Sequence, residues 1–153
     1  MNCQIKKMVA LVIAIIFFVI SDRALKILAL KRILPTFDLP GDFFKFNYQP
    51  NYQIAFSLPL AGRFVAAIIF IIIFMLISYF VQLLHRNKTA KAGWLMLIIF
   101  GAASNLFDRL KYGYVIDYLD LKYFTVFNLA DVMIVAGVVG LLINYKMKLH
   151  YEI

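Results

Sequence analysis

Two aspartates stand beside long apolar runs, Asp117 in Tyr114-Val115-Ile116-Asp117 and Asp131 in Phe127-Asn128-Leu129-Ala130-Asp131. A carboxylate in or beside lipid is costly to keep, so such groups are usually paired or functional. The two lie only 14 positions apart, across a turn between two apolar segments whose ends must meet, and a hairpin there brings them together. Carboxylates within hydrogen-bonding distance do not both ionise readily and tend to share a proton. One member then acts as base toward a water while the other donates toward a carbonyl oxygen or a leaving nitrogen. That is aspartic protease chemistry, and it needs neither a metal nor a cofactor. A helix N-terminus at Asp131 favours its charged form, which leaves Asp117 as the expected holder of the shared proton.

The neighbouring polar residues fall where they could hold such a pair. Asn128 suits an N-cap with Asp131 at N3, and Phe127 with Val132 suits a hydrophobic staple across it. Capping alone is the bland alternative for Asp131. Asn105 lies three positions before Asp108 and four before Arg109, so all three project from one helix surface. Asp22 and Lys26, four apart, form an acid-then-base pair near the end of the first apolar run. The histidines, His85 and His150, fall at the opposite ends of the apolar runs and show no metal-ligand spacing, so no zinc site is expected. No histidine is expected near Ser21, Ser57 or Ser104, which removes a serine protease reading.

These residues need a membrane frame. The 153-residue chain is 64% hydrophobic with a mean hydropathy of +0.86, too apolar for an ordinary soluble domain and too short for two. Four stretches, about 8–29, 62–84, 92–110 and 129–145, approach the roughly 20 apolar residues needed to span a bilayer. Val19-Ile20-Ser21 is a poor cleavage site, so the first run is expected to be a retained helix. The lone cysteine, Cys3, cannot form an internal disulfide and reads as inert. The net charge of +8 does not form a nucleic-acid stripe, because the basic residues cluster at span ends. Lys6, Lys7, Arg86, Lys88, Lys91, Lys146 and Lys148 fall on one side if four helices alternate, and the positive-inside rule makes that side, with both termini, cytoplasmic. Lys31, Arg32, Lys45, Arg63, Lys111 and Lys122 fall on the other side, so positive charge alone is a modest orientation signal. Asp22, Asp38, Asp42, Asp108, Asp117, Asp120 and Asp131 fall at or near the outer ends, leaving Glu152 inside. The outer loop of about 30–61 carries all four prolines, and the partial alternation over 43–48 and 51–58 suggests two short strands resting on the membrane surface. The expected fold is therefore an all-α integral membrane protein, one domain over 1–153, with four transmembrane helices and a small extracytoplasmic β-sheet in the first outer loop.

The blocks Asp22-x-x-x-Lys26, Asn51-x-x-x-Ala55-Phe56, Gly101-Ala102-x-x-Asn105-x-x-Asp108-Arg109, Gly113-x-Val115-x-Asp117 and Phe127-Asn128-x-Ala130-Asp131 resemble, in order, those of lipoprotein signal peptidase, also called signal peptidase II. The resemblance implies an aspartic endopeptidase of the bacterial cytoplasmic membrane. It would remove the signal peptide from diacylglyceryl-modified prolipoproteins just before the lipid-bearing cysteine. It implies Asp117 and Asp131 as the catalytic dyad, and Asn51, Asn105, Arg109, Asn128 and Ala130 as residues that line the substrate channel or orient the dyad. Asp22, Lys26 and Asp108 would support the fold, the first outer loop would form a β-cradle, and 111–128 would include a flap. The expected partners are the prolipoprotein and membrane lipid, with no nucleic acid and a monomeric chain.

The chain departs from the family pattern at Gln53 and Ser104, where the family usually has glycine. Its first block also reads Asp22-Arg23-Ala24-Leu25-Lys26 where the family more often has Asp-Gln-x-Thr-Lys. Larger side chains at 53 and 104 would narrow the channel. Two other classes compete. A proton-coupled carrier would place its acids near the bilayer midplane, whereas the runs 65–77 and 132–143 hold no ionisable residue. A small structural membrane subunit would use the same acids only as interfacial ion pairs.

Overall fold

The structure, a computed structural model, describes residues 3–33, 43–52 and 63–151. In chain order it comprises helix α1 (Cys3–Leu30), strand β1 (Phe44–Asn51), helices α2 (Arg63–His85) and α3 (Thr89–Tyr112), strand β2 (Val115–Leu121) and helix α4 (Leu129–Tyr151). The helices overrun the expected apolar stretches, because backbone hydrogen bonding continues into the polar flanks until a cap ends it. Among the described residues, three helices, over 8–30, 64–85 and 89–112, are long and apolar enough to cross a membrane, and α4 is apolar over the shorter 129–145.

The helix ends show how the chain turns. At the end of α1, Arg32 adopts φ 51°, with Arg32 N–H on the Ala29 carbonyl and Ile33 N–H on that of Leu28. The end of α2 repeats this with Asn87 at φ 53°, Asn87 bonding back to Leu84 and Lys88 to Leu83. Both are Schellman caps that satisfy orphan carbonyls. Gly113 closes α3 at φ 83° with its N–H on the Arg109 carbonyl, a conformation that costs glycine little.

Helix α3 packs against all three other helices. Where it crosses α4, a side chain on Gly101 would lie 2.5 Å from the Ala130 carbonyl oxygen and 2.8 Å from Ile134 Cγ1. Absence of a side chain thus lets the outer part of α3 approach the first turn of α4 closely. Phe17, Phe70, Phe74 and Val135 are each more than 60% exposed, an apolar exterior that suits lipid.

Among the described residues the sheet is two-stranded and antiparallel, β1 against β2, with Gln49 opposite Asp117 and Asn51 opposite Val115. Among these residues, therefore, it does not lie within the first outer loop alone, where it was expected. That loop supplies one strand, and the partner comes from the segment bearing Asp117, which is strand where a flap was expected. Of the second expected strand, only Asn51 and Tyr52 fall within the described residues, and Asn51 ends β1. Gln53, Ala55, Phe56, Asp38, Asp42 and Glu152 lie outside the described residues. One face of β2 buries Ile116 and Tyr118 with Ala29 of α1 and with Phe46 and Tyr48 of β1. Alternation along the strand then turns Asp117 to the opposite face.

Candidate functional site

Asp117, the third residue of β2, is 2% exposed. One of its oxygens accepts from Asn51 Nδ2 at 2.8 Å, a diagonal partner across the ladder, and the other from Asn128 Nδ2 at 2.6 Å. Burial pushes its carboxyl up to about 6. The Asn51 amide opposes that, the charge of Asp131 adds to it, and the Asn128 amide and Lys26 oppose it further.

Asp131 stands at N3 of α4 and makes a reciprocal capping box with Asn128. Its N–H donates to Asn128 Oδ1 at 3.0 Å, and its Oδ2 accepts from the Asn128 N–H at 3.2 Å. The capping reading of Asp131 is therefore correct but incomplete, since its other oxygen accepts from Asn105 Nδ2 at 2.7 Å. Asn128, fully buried, uses its carbonyl for the helix and its amide for Asp117. One side chain thus links the two acids.

Both carboxylates line a cavity of about 1490 Å3 together with Asn51, Asn105 and Arg109. The Arg109 guanidinium interacts electrostatically with both acids. From Asp131 the cavity runs along Val132, Val135, Ala136 and Val139 of α4, and Phe124 and Val126 of the β2–α4 connection form another wall. That connection is folded back on itself, with Phe127 exchanging hydrogen bonds with Leu119 at 2.8 and 3.0 Å. Its tip exposes Tyr123, at φ 72°, and Phe124.

Below the acids lies a buried ionic cluster. Asp22 and Asp108 are fully buried and Lys26 is 1% exposed. Lys26 Nζ reaches Asp22 at 3.1 Å, Asp108 at 2.8 Å and Asn105 Oδ1 at 2.8 Å, which uses all three of its protons. Asn105 then has one possible orientation, oxygen to Lys26 and nitrogen to Asp131. The sequence pair Asp22 and Lys26 is present, but it is one edge of a larger set.

Two members escaped the sequence reading. Tyr118 donates to Asp22 Oδ1 at 3.1 Å and accepts from the Leu129 N–H at 3.1 Å. Burial, with the Asp22 charge added, pushes its phenol up and keeps it protonated. Asp22 Oδ1 also accepts from the Ala130 N–H at 3.2 Å. The first three N–H groups of α4 are therefore satisfied by Tyr118, Asp22 and Asn128, and this places Ala130, fully buried, at the foot of the site. The other member, Arg23, donates to Asp108 at 2.7 Å and approaches Asp22 at 3.3 Å. Nothing in the sequence marks the Tyr118 hydroxyl, whereas Arg23 was visible only as a departure from the family pattern. Among the described residues, no group of three or more His, Cys, Asp or Glu could hold a metal ion.

The fold and site define a multi-helix membrane protein in which a buried aspartate, Asp117, and a half-buried one, Asp131, line one largely apolar groove. The family model for signal peptidase (SPase) II matches residues 13–147. The lipoprotein signal peptidase of Halothermothrix orenii is 36% identical over 87% of this chain and 92% of its own. That of Clostridium novyi is 33% identical over 86% and 94%. A solved bacterial membrane enzyme shares the fold at a TM-score of 0.76 and 22% identity, over 90% of this chain and 88% of that one. The chain belongs to the signal peptidase II family, and it is a transmembrane protease.

Proposed function

We propose that this chain is an aspartic endopeptidase that removes the signal peptide from diacylglyceryl-modified prolipoproteins, cutting just before the lipid-bearing cysteine. The substrate class comes from relatives named as lipoprotein signal peptidases. One observation carries the chemistry: two carboxylates from different elements, Asp117 buried and Asp131 half-buried, line the same groove, each held by an asparagine amide.

In this reading Asp117, whose carboxyl is pushed up to about 6, carries the shared proton and donates it to the scissile carbonyl. Asp131 takes a proton from the attacking water as its oxygen bonds to the carbonyl carbon. When the resulting diol collapses and the C–N bond breaks, that proton passes to the leaving nitrogen and a diol hydroxyl returns a proton to Asp117. Asn51 and Asn105 hold the acids in register. Arg109 braces the groove near both charges. The strip Val132, Val135, Ala136 and Val139 runs down α4 from the acids and suits apolar chain, so the acyl groups or the signal segment stay in lipid while the peptide bond reaches the carboxylates. The site would lie near the outer face of the bacterial cytoplasmic membrane with both termini inside.

The test is cleavage of a purified diacylglyceryl-modified prolipoprotein in detergent by wild type, Asp117→Asn and Asp131→Asn. Each variant is expected to lose at least about a thousandfold in kcat, in line with removal of a group from a cooperating catalytic set, with little change upon adding a chelator. Full turnover by either variant would refute the dyad, and inhibition by chelation would put a metal in its place.

A further inference from the structure

We propose that Arg23 is a positioning residue for the aspartate pair: it completes the charge balance of the buried cluster that grips the chain on either side of Asp117 and directly before Asp131. The inference rests on the dyad reading above.

The cluster touches both acids through their neighbours. Asp108 accepts from the Ile116 N–H at 3.4 Å, and Asp22 accepts from the Tyr118 hydroxyl, so residues on both sides of Asp117 are tied to it. Asp22 also holds the Ala130 N–H directly before Asp131, and Lys26 reaches Asp131 through Asn105.

Without Arg23 this set contains two fully buried carboxylates and a single ammonium. An uncompensated buried charge is costly and is relieved by proton uptake or by rearrangement. Arg23 makes the count two against two. Its guanidinium spans both carboxylates and lies 5.3 Å from the centre of the Phe107 ring, so its position is fixed on α3 as well. Arg23 does not line the groove. Ser104, the other departure nearby, donates to Asp22 Oδ2 at 2.6 Å and supplies a hydrogen bond without charge. Lys26 and Asp22 face the pair from α1, Asp108 and Arg109 from α3, and Tyr118 from β2; among these, substitution of Arg23 removes one cation.

Arg23→Gln, Arg23→Lys and Ser104→Gly should be compared with wild type for kcat and KM across pH, with thermal midpoints measured alongside. For Arg23→Gln the excess negative charge makes the acids hold protons longer, so both limbs of the pH–rate profile should move up by about one unit. Its kcat should fall roughly tenfold through misplacement, with KM held within about twofold. Arg23→Lys should restore the limbs, and Ser104→Gly should leave them in place. If Arg23→Gln lowers only the thermal midpoint, with limbs and kcat per folded enzyme unchanged, its role is structural and the proposal fails. It also fails if Arg23→Lys shifts the limbs as far as glutamine does. Should the glutamine variant not fold, a shifted profile in Arg23→Lys alone overturns the inference and an unshifted one supports it. Activity in Asp117→Asn or Asp131→Asn, run in parallel, would instead overturn the dyad.

Discussion

Asp117 couples the fold to pH in a direction opposite to a surface carboxylate. Its carboxyl rises from an ordinary 3.8 to about 6 in the fold, so between those values the native state binds more protons than the unfolded chain, and stability falls as pH rises. The full effect, about 3 kcal/mol at 1.36 kcal/mol per unit, is lost once pH passes about 6. Thermal midpoints in detergent should therefore drop between pH 4 and pH 7, and the drop should shrink in Asp117→Asn. By the same titration, the proposed mechanism predicts that kcat/KM of the wild type declines above about pH 6, as the free enzyme loses the proton that mechanism assigns to Asp117. Asn128→Ala removes the α4 cap and the amide on Asp117 together. It should cost about 1–2 kcal/mol of stability and at least about a hundredfold in kcat, measured by melting and by single-turnover cleavage. The acids and asparagines were legible as residues because carboxylates beside apolar runs need a reason to be there. Tyr118 was not, because a tyrosine on a strand near a membrane surface is ordinary until its hydroxyl is seen between Asp22 and the Leu129 N–H.

At the scale of elements, the close crossing of α3 and α4 fixes where Asp131 sits. Gly101 faces the Ala130 carbonyl, with Met133 Cβ 3.3 Å from the place a side chain would begin, and these are backbone and short rigid groups that cannot swing aside. Gly101→Ala should cost about 1–3 kcal/mol by overpacking, and by displacing the first turn of α4 it should lower kcat more than it raises KM. Melting and steady-state kinetics on the same preparation would check both. The helices were legible because apolar length is a local signal. The sheet was only half legible: Asn51 and Asp117 lie 66 positions apart, and no local pattern in β1 announces a partner that distant. Its strand partner was sought in the prolines of the same loop, while the alternation of Val115–Leu121 was passed over for a flap. The consequence for the site is considerable, since pairing of β1 with β2 is what delivers Asn51 to Asp117.

At the scale of the whole molecule, the structure gathers chemistry at one end. The aspartate pair, the ionic cluster and the sheet lie together where α1 and α3 end and α4 begins, and the α2–α3 turn over 86–88 lies at the other end of those helices. In the proposed reading the substrate is already translocated and the acids lie near the outer face, which puts the basic turn Arg86-Asn87-Lys88 inside. Lys31, Arg32, Lys111 and Lys122 stand at the outer end, so charge alone does not fix the orientation. This orientation is testable with single cysteines in a Cys3→Ser background. Asn87→Cys in the turn and Tyr123→Cys at the tip of the β2–α4 connection both replace exposed side chains, and Tyr123 is 92% exposed, so neither should disturb packing. In intact spheroplasts a membrane-impermeant maleimide should label Tyr123→Cys and spare Asn87→Cys until the membrane is opened. The reverse pattern would put the aspartates on the cytoplasmic side, where a substrate whose lipid-bearing cysteine lies at the outer surface could not reach them, and the peptidase reading would then require a different substrate.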